Sequence, residues 1–173
     1  VAIAPFYNSL YHSDIKSILV RQEQNAGHAA SGYARVTRKP AVCVATSGPG
    51  ATNLITGLAT AYADSIPMVA ITANVPDNLI GRDAFQEICI TGVTMPVTKH
   101  NYFVNRVEDL QDVIREAFAI AKSGRPGPVL VDVPKDVQVA VYDYEPKSPL
   151  PKIPSPTPSD TDINEAVRLI SES

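Results

Sequence analysis

Three apolar runs of strand length constrain this chain more than any other feature. Ala41-Val42-Cys43-Val44-Ala45, Met68 to Ala73 and Val129-Leu130-Val131-Asp132-Val133 are almost continuously apolar, and stretches with helical spacing lie between them. A strand wetted on one face alternates polar and apolar residues, whereas one covered on both faces need not. Such runs interleaved with helices predict an α/β domain built on a doubly wound, mostly parallel sheet flanked by helices. Ile18-Leu19-Val20 reads as a further short strand, followed by a helix over Ala26 to Arg35. Leu54, Ile55, Leu58 and Ala59 give Ala51 to Ala63 a helical stripe. The clearest amphipathic helix covers Glu108 to Lys122, with Leu110, Val113, Ile114, Ala117, Phe118 and Ala121 on one side. Asp77 to Met95 has mixed periodicity and reads as a long, partly helical excursion, a kind of segment that often carries function.

Composition sets the outer bounds. A chain of 173 residues can bury a sizeable core without staples. A net charge of −3 without clustered Lys or Arg excludes nucleic acid as a partner. The two cysteines, Cys43 and Cys89, exclude a disulfide-dense scaffold. No apolar run is long enough for a bilayer and no leader pattern opens the chain, so the expectation is a cytoplasmic protein with no membrane partner. Six of the 15 prolines fall between Pro146 and Pro158. We therefore expect a domain over 1–141, a Pro-rich linker over 142–159, and over 160–173 the first helix of a next domain, capped by Thr161 or Asp162. The start at Val1 rather than Met suggests a piece of something longer.

The chemistry-bearing residues gather at junctions. Thr46-Ser47-Gly48-Pro49-Gly50-Ala51-Thr52-Asn53 joins a strand to a helix, where glycines admit a ligand to the backbone and helix N–H groups face acceptors. A phosphate loop would need a lysine after its closing glycine, and none stands there. A dinucleotide fingerprint fails because Asn53 occupies the third glycine's place and Asn74, not an acid, ends the next strand. A nucleophile elbow at Ser47 fails at Ala45 and Pro49. The turn points to a ligand, or to a tight connection kept for packing. Glu23 opens an Ala- and Gly-rich helix, as a proton-handling carboxylate or as a plain first-turn acid. Gln86, within Asp83-Ala84-Phe85-Gln86-Glu87, and Lys135, within Pro134-Lys135-Asp136, could present an amide and a cation to a carboxylate substrate, or simply face solvent. His12, His28 and His100 lack ligand spacing, so no metal site is expected on this chain. Tyr11, Tyr33 and Tyr62 read as core or rim aromatics, and Cys43 as an inert buried residue.

Taken in order, Val20 to Gln24, Ser31 to Arg35, Thr46 to Asn53, Ala61 to Pro67, Asp83 to Glu87, Thr98 to His100, Ser123 to Pro128 and Pro134 to Asp136 resemble the N-terminal pyrimidine-binding domain of thiamine-diphosphate enzymes. Within these, the likeness is to the catalytic subunits of the acetolactate synthase (acetohydroxyacid synthase) family, from Ile3 to the linker. The resemblance implies that Glu23 is catalytic, hydrogen-bonding N1′ of the aminopyrimidine and favouring the imino tautomer whose N4′ takes the C2 proton. It places Pro49 and Asn53 on the pyrimidine ring, with Gly48 and Gly50 beside it, and puts Gln86, Lys135, Phe85 and Ala84 on the substrate side. It implies thiamine diphosphate, FAD against Arg125, and Mg²⁺ held by a Gly-Asp-Gly…Asn segment outside these residues. The implied transferase activity condenses pyruvate with pyruvate or 2-ketobutyrate, losing CO₂, in branched-chain (isoleucine and valine) biosynthesis. A homodimer or larger oligomer sharing its active site between subunits, and a possible regulatory subunit, would follow, with this chain inactive alone. Two positions depart from the family pattern, Gln22 for a usual His and Ser31 for a frequent Asp. The competing readings are a pyruvate oxidase, a sulfoacetaldehyde acetyltransferase, or a non-catalytic binding module. A glyoxylate carboligase is disfavoured because its position matching Glu23 is apolar.

Overall fold

The computed structural model describes residues 2–148, 150, 151, 154 and 156–173. In chain order its elements are α1 (Ala4–Tyr11), α2 (Glu23–Thr37), β1 (Ala41–Ala45), α3 (Pro49–Asn53), α4 (Ile55–Ala63), β2 (Met68–Asn74), α5 (Ile90–Thr94), β3 (His100–Phe103), α6 (Val107–Lys122), β4 (Pro128–Pro134), α7 (Lys135–Val139) and α8 (Asp160–Ser171). The four strands form one parallel sheet in the order β1-β2-β4-β3. Parallel neighbours need crossovers, and the helices supply them. α3 and α4 carry the chain from β1 to β2, and α6 carries it from β3 to β4.

The apolar runs make sense in this sheet because side chains alternate between two covered faces. Ala41, Cys43, Ala45, Met68, Ala70 and Leu130 pack with Ala30 and Ala34 of α2 and Leu58 and Ala61 of α4. Val69, Val129, Val131 and Val133 turn the other way, onto Ala117 and Ala121 of α6. The expected doubly wound α/β architecture is therefore present. All three expected strands fall within a residue of their predicted limits.

Several expectations need correcting. Ile18-Leu19-Val20 forms no strand, and Ile18 and Leu19 are 90% and 86% exposed. Three apolar residues make a strand only beside a partner that takes up their backbone groups, and no strand pairs with them among the described residues. The helix expected over Ala51 to Ala63 is two helices. The break falls at the fully buried Leu54, whose N–H bonds the Ala51 carbonyl in a tightened turn. The cap of α8 is Ser159, not Thr161 or Asp162. Ser159 Oγ accepts the Asp162 N–H at 3.2 Å, and the Asp162 carboxylate accepts the Ser159 N–H at 3.0 Å, closing a capping box. Of the two readings of Tyr11, Tyr33 and Tyr62, core or rim, their exposure leaves the rim. Short elements with no apolar run, α1, β3 and α7, had no counterpart in the sequence reading.

Of the expected linker, Pro149, Lys152, Ile153 and Ser155 lie outside the described residues. Its first part is strapped along α6, where Gln111 donates to the Glu145 carbonyl at 3.0 Å and Arg115 donates to the Ser148 carbonyl. Ile163, Val167 and Ile170 of α8 are exposed.

Candidate active site

The carboxyl edge of the sheet collects the ends of β1, β2 and β4, and with them most of the singled-out residues. After β1 the backbone turns at Gly48, whose φ of 59° favours glycine. A Cβ there would lie 2.8 Å from the carbonyl oxygen of Gln86 and 2.9 Å from its Cα. The excursion after β2 thus folds back and lays the Gln86 backbone directly on the turn. Pro49 then starts α3, exposed, with its fixed φ suited to a first helical position.

On the other side of the turn stands Glu23, in the first turn of α2 and half-buried. Asn53 Nδ2 donates to Glu23 Oε2 at 3.0 Å. Glu23 Oε1 accepts no hydrogen bond among the described residues and lies 3.5 Å from where a Cβ on Gly50 would be. That meeting is set one helical turn away. Gly27 and Gly57 abut so closely that a Cβ on Gly57 would sit 2.8 Å from Gly27 Cα. Glu23 and Asn53 each lie four residues before these glycines, so the backbone contact between α2 and α4 brings carboxylate and amide face to face. Thr46 Oγ1, at the base of the same turn, is buried with no hydrogen-bond partner among the described residues. A free carboxylate oxygen beside an amide, over glycines and an unpaired hydroxyl, suits a flat heteroaromatic ligand with both donors and acceptors.

The substrate-side candidates sit on this edge too. Gly81, Asp83 and Gln86 all have left-handed φ values, of 79°, 53° and 59°. Glu87 gathers this loop, its carboxylate accepting the N–H of Gly81 at 2.5 Å and of Ala84 at 2.8 Å. Those backbone bonds hold the Glu87 carboxyl below its ordinary pKa. Ala84 is half-buried, and Phe85 is 87% exposed. Lys135 is exposed as the first residue of α7, and its ammonium makes no hydrogen bond among the described residues. The loop after β2 is tied to the segment after β4 where Asp136 accepts the Asp77 N–H at 3.2 Å.

Arg125 is placed elsewhere, at the far end of α4. Its Nε donates to Ser65 Oγ at 2.7 Å and its Nη2 to the Ala63 carbonyl at 3.0 Å, while the guanidinium lies 6.0 Å from the Tyr62 ring centroid. Nη1 makes no hydrogen bond among the described residues. Lys99, from the Thr-Lys-His segment, is a brace: its Nζ donates to the Ile120 and Ser123 carbonyls at 2.5 and 2.6 Å and closes the end of α6. Among the described residues no group of three His, Cys, Asp or Glu could hold a metal.

The sequence reading missed the Gly27–Gly57 contact, the role of Glu87, and a buried polar cluster of Thr72, Asn74 and Asp132. Only the last left a visible trace, an aspartate inside an otherwise apolar strand.

Residues 1–95 match the model of the thiamine pyrophosphate enzyme N-terminal TPP binding domain. The chain belongs to the thiamine pyrophosphate enzymes. Over 99% of its length it is 55% identical to the acetolactate synthase large subunit of Corynebacterium glutamicum and 52% identical to the probable acetolactate synthase large subunit of Methanocaldococcus jannaschii. Over 93% of its length it is 55% identical to the chloroplastic acetolactate synthase of Arabidopsis thaliana. It spans only 28%, 30% and 25% of the length of these three relatives.

Proposed function

We propose that this chain is the pyrimidine-binding part of an acetolactate synthase, and that Glu23 handles the proton on which cofactor activation depends. The observation that carries the reading is the 3.0 Å bond from Asn53 to Glu23 beside Gly50. It leaves one carboxylate oxygen free at the floor of a glycine-lined turn. Thiamine diphosphate, when bound, supplies the acidic carbon that adds to a 2-keto acid and allows CO₂ to leave.

The chain's own residues prepare that chemistry. Glu23 would hold a proton at N1′ of the aminopyrimidine through Oε1, while Asn53, donating to Oε2, fixes the carboxylate's rotation and would turn its remaining capacity to the ring. Pro49 would contact the aminopyrimidine, and Gly48 and Gly50 would leave it room that a Cβ would take. Gln86 and Lys135 orient the 2-keto acid's carboxylate as neutral donor and cation, with Ala84 and Phe85 closing that side. Fixing both carboxylate and ring before reaction removes reorganisation from the barrier.

We propose further that the whole protein condenses pyruvate with pyruvate or 2-ketobutyrate in branched-chain amino acid biosynthesis, with a second copy of the chain completing the site and a regulatory subunit as a further partner. FAD would meet Arg125 through Nη1, the guanidinium nitrogen that bonds neither Ser65 nor the end of α4 among the described residues. Mg²⁺ would be held outside these residues. The compartment proposed is the cytoplasm, while the Arabidopsis relative's printed name places that protein in the chloroplast.

The test has two parts. Full-length protein given pyruvate, thiamine diphosphate, Mg²⁺ and FAD should form acetolactate. Glu23→Gln should slow exchange of the cofactor's C2 proton, followed by NMR after acid quench, by about 10²- to 10⁴-fold. Unchanged exchange removes Glu23 from the mechanism.

A further inference from the structure

We propose that Asp132 and Asn74 form a buried latch that positions the 81–88 loop against the Gly48 turn, making Asp132 a positioning residue for Gln86. The significance of Gln86 rests on the reading above; the latch rests on geometry alone. Asp132 is 1% exposed in β4, flanked by Val131 and Val133, where a carboxylate is costly unless fully hydrogen-bonded. Its partners come from β2, the strand beside it. Thr72, directly opposite in the register, donates from Oγ1 at 2.7 Å, and Asn74, two residues on, donates from Nδ2 at 2.7 Å.

Stability alone does not account for this cluster, since well-packed apolar residues commonly replace such groups at no loss. What the cluster does is fix the orientation of the Asn74 amide. Nδ2 donates to Asp132 and to the Ile88 carbonyl at 3.3 Å, while Oδ1 accepts the Val75 N–H at 2.8 Å. Turned over, the amide would set its oxygen against two acceptors. The buried carboxylate therefore holds the amide in the one orientation that can grip Ile88. Ile88 is where the loop with three left-handed residues, gathered by Glu87, rejoins the fold. Two residues earlier Gln86 lies on Gly48 with no room for a Cβ between them. Glu87 gives the loop its shape; Asn74, held by Asp132, gives it its place.

The test uses full-length protein carrying Asn74→Asp together with Asp132→Asn. This swap keeps an amide-to-carboxylate bond between the strands but leaves a carboxylate at 74 that cannot donate to Ile88. Hydrogen–deuterium exchange of the peptide spanning 80–88 should accelerate about tenfold while β2 and β4 keep their protection. KM for the 2-keto acid should rise about tenfold with C2-proton exchange of the cofactor unchanged, because only substrate-side positioning is lost. Thr72→Val, which removes the other donor to Asp132 without touching the grip on Ile88, should leave loop exchange as it was. Unchanged loop exchange in the swap overturns the latch. So does loosening that spreads evenly over β2 and β4, which would make the cluster merely structural. A loosened loop with unchanged KM supports the latch and instead removes Gln86 from the substrate side. Should the swap fail to fold, Asn74→Ser, too short to span both partners, takes its place with the same readings.

Discussion

Asp132 carries a second consequence, in its titration. Burial pushes its carboxyl from the ordinary value of 3.8 up to about 6, against the opposing pull of the Thr72 and Asn74 hydrogen bonds. Between those values the folded chain binds more protons at this site than the unfolded chain does, so stability must fall as pH rises from about 4 to about 6. The site's contribution to that fall is about 3 kcal/mol, complete above pH 6. Urea unfolding at a series of pH values should show the wild type losing this much relative to Asp132→Asn across that window. Parallel curves for the two proteins would show that the group does not titrate there. Single residues of this kind were only half legible in the sequence. Glu23 and Asn53 could be read as candidates from their junctions. Their bond could not, because it depends on two glycines whose closeness is a tertiary fact. Asp132 was visible only as a polar interruption of an apolar run.

Among the elements, legibility followed burial. β2 and β4 are covered on both faces and were bounded within a residue from composition alone, and α6 announced itself by a full apolar stripe. β3 is an edge strand of His100, Asn101, Tyr102 and Phe103 whose pairing with β4, not its own composition, makes it a strand. Ile18 to Val20 fails for the opposite reason, having strand-like composition without a partner. The decisive element contact is α2 on α4. Gly57→Ala would drive a Cβ to 2.8 Å from Gly27 Cα and 3.1 Å from Gly27 C, backbone atoms that cannot swing aside. The helices must part, at a cost of about 1–3 kcal/mol. The Glu23–Asn53 bond one turn away should lengthen with them, so C2-proton exchange in the full-length protein should slow as well. Gly32→Ala is the control. Gly32 is exposed on α2, the helix of Gly27, with nothing among the described residues within 4 Å of its added Cβ, and better helix propensity should stabilise by about 0.5–1 kcal/mol with exchange untouched. Equal exchange rates in Gly57→Ala and wild type would separate the helix contact from the site.

For the molecule as a whole, one sheet edge does several jobs. It gathers a carboxylate and amide from two helices that meet at glycine, a loop held by a buried latch, and a lysine at the start of α7. In the proposed reading all of these orient or move protons and substrate, whereas the cations singled out above are spent elsewhere or stand alone. Lys99 closes α6, Arg125 bonds the end of α4 through Nη2 and Ser65 through Nε, and Lys135 is a single cation. A diphosphate anchored well enough for turnover calls for clustered positive charge or a metal. The 173-residue chain on its own should therefore unfold cooperatively, with its two apolar faces intact, yet form no acetolactate from pyruvate in the presence of thiamine diphosphate, Mg²⁺ and FAD. Denaturant unfolding followed by circular dichroism checks the first expectation and a colorimetric acetolactate assay the second. Turnover by the isolated chain would mean that its carboxyl edge holds the whole cofactor, and the division of labour argued for Glu23 and the rest of the protein would fall with it.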